Sequence, residues 1–183
     1  MQICVSLLRG VNMTGHNTIK MTDLVALYRK LGFSDAETYI QSGNVVFNIP
    51  ENQSLQLLSA RIEEAILKKF NYNIPVMIRT LDELKETISV DLFKEEAGFN
   101  EDKLSVIFLN EFPLPAQIEK VKNIDYPPDK FKIIGKEIFI YCPNGFGKTK
   151  LYTSFFEKKM KVTGTARNWK TINKIFELAL KRS

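Results

Sequence analysis

The strongest constraint on this fold is an order of apolar segments that occurs twice along the chain. In the first half, residues 3–9 form a short apolar run rich in strand-forming residues and bounded by Gly10, which predicts a buried strand. A helix is predicted next, because apolar residues recur at the spacing of one helical face. These residues are Leu24, Leu27, Tyr28 and Leu31. Gly32 is then expected to end the helix.

Two further strands, ETYIQ and NVVFNI, flank Ser42-Gly43, which predicts a tight antiparallel connection. A second helix is predicted over about residues 53–70, since its apolar residues form one stripe. A strand over residues 74–79 closes this half. The first half therefore has the order βαββαβ.

The second half follows the same order with different residues. It contains a predicted strand at 104–110, a short helix at 115–124 and a hairpin around Gly135-Lys136. A helix is predicted from about 149 to 160, followed by a β-prone stretch around KVTGTA. A last helix is predicted from about 168 to 181.

The order βαββαβ is the split-βαβ, ferredoxin-like pattern. We therefore predict an α+β protein built from two tandem ferredoxin-like halves, with antiparallel sheets and an extra C-terminal helix. The first half is expected to span residues 1–80 and the second 104–183. The acidic, helix-prone segment 81–103 is expected to link them.

Composition limits the cellular setting and the chemistry. The opening residues lack the charged start of a signal peptide, and no run approaches the roughly 18 apolar residues of a membrane helix. Cys4 and Cys142 lie in predicted strands, without the C-x-x-C spacing of a redox or zinc site. His16 is the single histidine. We expect a cytoplasmic protein with buried cysteines, no metal site and no cofactor.

Charge is distributed unevenly along the chain, although the net charge is only +5. Residues 130–183 contain thirteen Lys or Arg and three acidic residues, whereas residues 1–129 contain thirteen basic and eighteen acidic residues. Such segregation is typical of a protein with one anion-attracting face. A basic end that is merely solvated has the same pattern.

The first candidate site is the segment 143–150, PNGFGKTK, between a predicted strand and a predicted helix. Gly145 and Gly147 permit backbone conformations that turn successive N–H groups toward one point. The expected helix start adds unpaired N–H donors, and Lys148 and Lys150 add positive charge. The segment is therefore a candidate seat for phosphate or another anion. The alternative is an ordinary strand–turn–helix connection with solvated lysines.

Two more specific motifs do not fit this segment. A nucleotide-binding P-loop has its first glycine where this chain has Cys142, and the preceding hairpin indicates an antiparallel sheet. The GFG core of RNA-recognition motifs continues within a strand, whereas Lys148 and Thr149 follow it here.

The second candidate site lies where the C-terminal helix begins. Asn168 can cap that helix, and Lys170 lies in its first turn. Arg167 immediately precedes the helix and could bind a phosphate or carboxylate through two hydrogen bonds. Trp169 belongs to an apolar stripe, so a place in the core is favoured over base stacking.

The third candidate site is the first loop, from Arg9 and Asn12 through His16 and Asn17. Loops that leave strand ends commonly carry function, although Arg9 could equally pair with a carboxylate. His16 could act as a base, but a single histidine in a polar loop is more often solvated. The sequence contains no histidine pair, no carboxylates paired in an apolar setting and no nucleophile elbow, so it does not indicate catalysis.

Four motifs, LLRGVN, TYIQSGNVVF, GFGKTKL and TARNWKT, follow one another over about residues 6–175. In this order they resemble the bacterial family known as domain of unknown function 1697 (DUF1697). The resemblance implies an α+β fold with ferredoxin-like halves and assigns no activity. His16 departs from the family pattern, in which a lysine is usual. The positions that match are Arg9, Gly10, Asn12, Ser42, Gly43, Asn44, Gly145, Gly147, Lys150, Arg167, Asn168 and Trp169.

Three functions remain open from the sequence. The leading hypothesis is a binder of an anionic partner, with nucleic acid favoured, because the basic residues and glycine-punctuated loops concentrate toward the C-terminus. The second is a small-molecule enzyme or sensor for a phosphorylated or carboxylated ligand. The third is a protein-interaction module. No membrane partner is expected.

Overall fold

The computed structural model describes residues 1–13 and 15–183. Thr14, which belongs to the predicted first loop, lies outside the described residues. The chain divides into two compact units. Unit 1 comprises Met1–Glu86 and Lys174–Ser183, and unit 2 comprises Thr87–Asn173.

Unit 1 contains a four-stranded antiparallel sheet with two helices between its strands. Its elements are β1 (Gln2–Leu8), α1 (Met21–Lys30), β2 (Glu37–Tyr39), β3 (Asn44–Ile49), α2 (Leu55–Phe70) and β4 (Val76–Thr80). The strand order is β2-β3-β1-β4. Helix α3 (Leu81–Ser89) follows β4 and continues into unit 2.

Unit 2 repeats this topology. Its elements are β5 (Leu104–Leu109), α4 (Pro115–Glu119), β6 (Lys130–Ile134), β7 (Glu137–Tyr141), α5 (Thr153–Met160) and β8 (Gly164–Asn168). The strand order β6-β7-β5-β8 is the counterpart of the order in unit 1. A final helix, α6 (Trp169–Leu180), follows β8. The predicted fold, two ferredoxin-like halves with antiparallel sheets and a C-terminal helix, is confirmed.

The core of unit 1 lies between its sheet and the helices α1 and α2. Cys4 and Leu8 of β1 belong to the same buried cluster as Phe47 of β3, Leu24 of α1 and Ile62 of α2. Each fully buried apolar side chain stabilises the fold by about 1.5–3 kcal/mol. The alternation of side chains along a strand selects which residues of β1 face these helices.

One polar pair is enclosed in this core. The hydroxyls of Ser6 and Tyr28 lie 2.6 Å apart, and both residues are fully buried. The Ser6 hydroxyl also lies 3.5 Å from the carbonyl oxygen of Val45. A buried hydroxyl without a partner is costly, so the two side chains depend on each other.

We expect Ser6→Ala to lower the free energy of unfolding by about 1–3 kcal/mol, because it leaves the Tyr28 hydroxyl buried without its partner. Tyr28→Phe should cost a similar amount. The double variant should lose less than the sum of the two single losses, with a coupling of about 0.5–3 kcal/mol. Urea unfolding of the four proteins measures this, and strictly additive losses would contradict the pairing.

Arg182, near the end of the chain, contacts the sheet of unit 1. Arg182 donates hydrogen bonds to Asp35 Oδ2 at 3.2 Å, Glu37 Oε2 at 3.0 Å and the carbonyl oxygen of Val46 at 3.2 Å. Two carboxylates and a backbone oxygen occupy the fork of donors that a guanidinium presents. Nothing in the local sequence indicates this contact, since the partners are more than 130 residues away.

The core of unit 2 is built in the same way from its own strands and helices. Ile107 of β5 and Ile140 of β7 share a buried cluster with Phe156 and Met160 of α5. Gly164 begins β8, where an added Cβ would lie 2.7 Å from Ile107 Cγ2. Only a glycine therefore allows β8 this approach to β5. Within the described residues, no helix combines the length and apolarity needed to cross a bilayer.

Candidate functional site

The first candidate site, which we call the lysine loop (residues 143–150), connects β7 to α5. Gly145 has a φ of +88°, a conformation that favours glycine. Its N–H donates to the carbonyl oxygen of Cys142 at 2.8 Å, and the N–H of Lys148 donates to the carbonyl oxygen of Gly145 at 3.2 Å. The loop is thereby folded into a compact turn that leaves Lys148 and Lys150 exposed.

A third lysine, which the sequence analysis did not identify, lies beside this loop. Lys103 precedes β5, and its carbonyl oxygen accepts a hydrogen bond from the N–H of Cys142 at 2.9 Å. A Cβ added to Gly145 would lie 3.9 Å from Lys103 Nζ, so the Lys103 amine is close to the turn. The pairing of β5 with β7 brings Lys103 here across about 40 residues of sequence, which no local pattern could reveal.

The lysine loop does not lead directly into a helix, so the predicted helix start near 149 is wrong. Helix α5 begins at Thr153. Thr149 is extended, with a ψ of 157°, and its side-chain oxygen accepts a hydrogen bond from the N–H of Leu151 at 3.0 Å. This local bond competes with a helical turn. The lysines of the loop therefore stand apart from the N–H groups at the start of α5, so an anion at this loop would meet the lysine charges and the turn but not the helix start.

Most lysines of the loop, of helix α5 and of the start of α6 have no carboxylate partner among the described residues. Lys148, Lys158, Lys159, Lys161 and Lys170 are exposed and form no ion pair there. Some other lysines of unit 2 are paired, as in the contacts of Lys94 with Asp91 and Lys122 with Glu119. Lys150 Nζ lies 5.3 Å from the centre of the Tyr126 ring, a cation–π contact that leaves its charge available. These lysines therefore carry positive charge that no ion pair among the described residues neutralises.

The second candidate site is divided between a buried strand and a helix start. Arg167 lies within β8, is only 8% exposed, and donates from Nη1 to Thr165 Oγ1 and to the carbonyl oxygen of Ala166, each at 2.8 Å. Burial lowers its pKa to about 10, so its guanidinium is still charged at neutral pH. The structure therefore places Arg167 in the interior, where the sequence suggested an accessible anion ligand.

The neighbours of Arg167 take the structural positions that the sequence indicated. Asn168 accepts a hydrogen bond from the N–H of Thr171 at 2.7 Å, which is a helix cap. Trp169 is buried, and Lys170 is exposed in the first turn of α6. Of this group, Lys170 has a freely accessible charge.

An arginine at the matching place in unit 1 had no signal in the sequence. Arg79 is the fourth residue of β4, as Arg167 is of β8, and each lies opposite a valine of the central strand. Arg79 Nη1 donates to the carbonyl oxygen of the preceding residue, Ile78, at 2.9 Å, as Arg167 does to Ala166. Arg79 is only 1% exposed. The repeated topology thus repeats a buried guanidinium.

The third candidate site is a corner that joins two loops of unit 1. Asn12 donates from Nδ2 to the carbonyl oxygens of Ile19 and Gln41, at 3.0 and 2.8 Å, and its Oδ1 accepts from the N–H of Ile19 at 2.9 Å. The Asn12 side chain therefore holds the first loop against the turn before β3. The N–H of Arg9 donates to the carbonyl oxygen of Pro75 at 3.0 Å. The polar groups of Asn12 are occupied by the fold itself.

The corner depends on a glycine in that turn. Gly43 has a φ of +67°, and an added Cβ would lie 2.8 Å from Leu8 Cβ and 3.3 Å from Val11 Cβ. The carbonyl oxygen of Gly43 accepts a hydrogen bond from the N–H of Leu8 at 2.8 Å. The motifs RGVN and QSGN are thus in contact, and both are explained by the packing of this corner.

The remaining titratable groups do not form a further cluster here. His16 is exposed, and its backbone N–H donates to the carbonyl oxygen of Met13. Both cysteines are buried free thiols, as expected, and burial raises the pKa of Cys4 to about 12. In the described parts of the chain, no three His, Cys, Asp or Glu side chains are arranged to hold a metal ion.

The folded units divide the charge differently from the linear halves. Unit 2 contains fourteen Lys or Arg and eleven Asp or Glu, whereas unit 1 contains twelve and ten. The net charge is therefore +3 for unit 2 and +2 for unit 1. The difference between the linear halves largely disappears on folding, and the positive character of the lysine loop is a local property.

Comparison with known proteins gives a family and a fold. The family model "Protein of unknown function (DUF1697)" matches residues 1–139. A solved structure, the conserved bacterial protein SP0830 from Streptococcus pneumoniae, is similar over 97% of this chain and 98% of its own, with a TM-score of 0.73 and 21% sequence identity. That likeness shows the fold alone. No protein with a curated description matches the chain. The match over more than half of the sequence shows that the chain belongs to the DUF1697 family.

Proposed function

We propose that unit 2 binds the phosphate backbone of nucleic acid through the lysine loop. The observation that carries this proposal is the gathering of Lys103, Lys148 and Lys150 around one compact turn without carboxylate partners among the described residues. Lysine amines are strongly hydrated point charges that contact phosphates in many geometries, and such contacts do not depend on base sequence.

Helix α5 extends the positive charge beyond the loop. It has eight residues and is therefore about 12 Å long, with Lys158 and Lys159 in its last turn and Lys161 immediately after it. The loop lysines precede this helix, and Lys158, Lys159 and Lys161 lie at its far end. A single small anion cannot contact both groups, whereas successive phosphates of a polynucleotide can. The length of this positively charged region favours nucleic acid over a phosphorylated metabolite. We also propose that the protein acts in the cytoplasm.

The buried state of Arg167 is a second argument against a small-ligand pocket. A pocket for a phosphorylated or carboxylated metabolite would require convergent polar groups that reach the ligand. Arg167 instead directs Nη1 to Thr165 and Ala166. The exposed lysines are better suited to an extended polyanion.

We expect Lys148→Ala/Lys150→Ala to weaken binding of labelled single-stranded RNA or duplex DNA by roughly tenfold at low salt. The slope of log affinity against log salt should fall by about 1.4 for a single strand and 1.8 for duplex DNA, since two contacts are lost. Fluorescence anisotropy across a salt series measures both quantities.

The matched control is Lys94→Ala/Lys122→Ala. It removes the same charge from the same unit at lysines that are already paired with Asp91 and Glu119. Its affinity and salt slope should remain close to those of the unaltered protein. Equal losses of affinity in both variants would show that binding depends on the net charge of the protein and not on the lysine loop. No binding at low salt would contradict the proposal. A thermal-shift screen of phosphorylated metabolites would then test the second hypothesis.

A further inference from the structure

A groove of about 660 Å³ lies along β6 in unit 2. Four consecutive residues of β6, Lys130 through Ile133, line it. Because successive side chains of a strand point to opposite faces, a cavity lined by both sets lies along the outer edge of the strand. The groove is also lined by residues 91–96 and by residues 118–125, so it has two walls and the strand edge between them.

The edge of β6 is available for pairing. Among the described strands, β6 is the terminal strand of its sheet and pairs only with β7. Among the described residues, no further backbone hydrogen bond is made by Phe131–Ile134. Outward N–H and C=O groups of an edge strand can accept another extended chain. A strand of five residues is about 17 Å long, which accommodates a peptide of about five residues.

The side chains of the groove indicate what kind of peptide fits. Phe131 and Ile133 of β6 contribute half-buried apolar surface. Three of the four lysines that line the groove are paired: Lys94 with Asp91, Lys122 with Glu119 and Lys130 with Glu96. The fourth, Lys132, has its Nζ 5.8 Å from the centre of the Phe93 ring. The carboxylates of Glu95 and Asp125 have no basic partner in the described part of the chain. Their charge attracts basic side chains.

An exposed apolar pair lies where β6 ends. Ile134 is 42% exposed, and Phe112 is 67% exposed. A Cβ added to Gly135 would lie 3.6 Å from Phe112 Cε1, so the Phe112 ring lies against the turn that directly follows Ile134. An apolar surface at the end of an open strand can hold an apolar side chain of the incoming peptide.

We propose that the edge of β6 binds an extended peptide segment in which basic and apolar residues alternate, as an additional strand of the sheet of unit 2. The segment belongs to a partner protein. A second copy of this chain fits less well, because antiparallel pairing of two β6 strands about their centre brings Lys132 against Lys132. The inference uses residues other than the lysine loop and does not depend on the proposed function.

The test uses a fluorescein-labelled ten-residue peptide of alternating lysine and valine, blocked at both ends. We expect saturable binding, weakened about tenfold by Glu95→Lys/Asp125→Lys. Glu101→Lys/Asp102→Lys makes the same charge change in unit 2 outside the groove and should retain the affinity. Phe112→Ser should also weaken binding, whereas Leu57→Ser, which alters an exposed leucine of unit 1, should not.

Pairing through the main chain is tested with two N-methylated peptides. One carries methyl groups on the amides of odd-numbered residues and the other on even-numbered residues. Only one set of amides faces β6 in an antiparallel or parallel pair, so one peptide should lose binding and the other should keep it. Equal binding of both peptides, no binding of the parent peptide, or a dimer that the Glu95→Lys/Asp125→Lys variant dissociates would overturn the proposal.

Discussion

Gly43→Ala is expected to lower the free energy of unfolding by about 2–5 kcal/mol. Two costs combine at this position. A φ of +67° is unfavourable for alanine by about 1–2 kcal/mol, and the new Cβ would lie 2.8 Å from Leu8 Cβ. Leu8 cannot relieve this overlap by changing rotamer, because its Cβ is fixed to the backbone of β1. Overpacking of this kind costs about 1–3 kcal/mol.

Gly32→Ala is the matched control for the backbone term. Gly32 also has a positive φ, +98°, but an added Cβ there meets no atom within 4 Å. It should cost only the conformational strain, about 1–2 kcal/mol. Urea unfolding followed by far-UV circular dichroism compares the two variants. Equal midpoint shifts would show that the contact with Leu8 has no energetic weight.

The same variant separates structure from function in the motifs RGVN and QSGN. Gly43 lies in unit 1, and the lysine loop lies in unit 2. At temperatures where Gly43→Ala is folded, we therefore expect its affinity for single-stranded RNA to match that of the unaltered protein. A selective loss of affinity without a loss of stability would instead assign this corner to the binding site.

The fold was predictable because its determinants are local in sequence. Apolar runs of strand length, one helical stripe at Leu24, Leu27 and Leu31, and glycine turns at Gly43 and Gly135 together indicate βαββαβ twice. The repeat of this order constrains the topology more than any single segment does. Boundaries were less accurate where a side chain competes with the backbone, as Thr149 does before α5.

The site was predictable only in part, because charge and exposure depend on contacts that are distant in sequence. The lysines of the loop are visible as a cluster, but Lys103 joins them only through the pairing of β5 with β7. Arg167 resembles an anion ligand in sequence, since nothing there distinguishes a loop from an edge strand with one buried face. Arg79 and Arg182 gave no signal, because their partners are backbone oxygens or distant carboxylates.

Arg167→Met is expected to lower the free energy of unfolding by about 1–3 kcal/mol without changing the affinity of the folded protein for RNA. Methionine retains a long side chain, but it removes the donor to the buried Thr165 hydroxyl and to the carbonyl oxygen of Ala166. An unsatisfied buried hydroxyl costs about 1–3 kcal/mol, whereas Ala166 is exposed and water can reach its carbonyl oxygen. Arg79→Met should have a comparable effect in unit 1, because Arg79 makes the equivalent backbone contact.

The control for Arg167→Met is Arg29→Met, at an exposed position near the end of α1, which should change stability by no more than about 0.5 kcal/mol. Stability is measured by urea unfolding, and affinity by anisotropy at low salt. If Arg167→Met kept its unfolding midpoint and lost RNA affinity, Arg167 would be a ligand of the anion after all. The expected pattern, lost stability with retained affinity, would assign a structural role to the arginine of TARNWKT and leave the proposed phosphate contacts to the lysines of GFGKTKL.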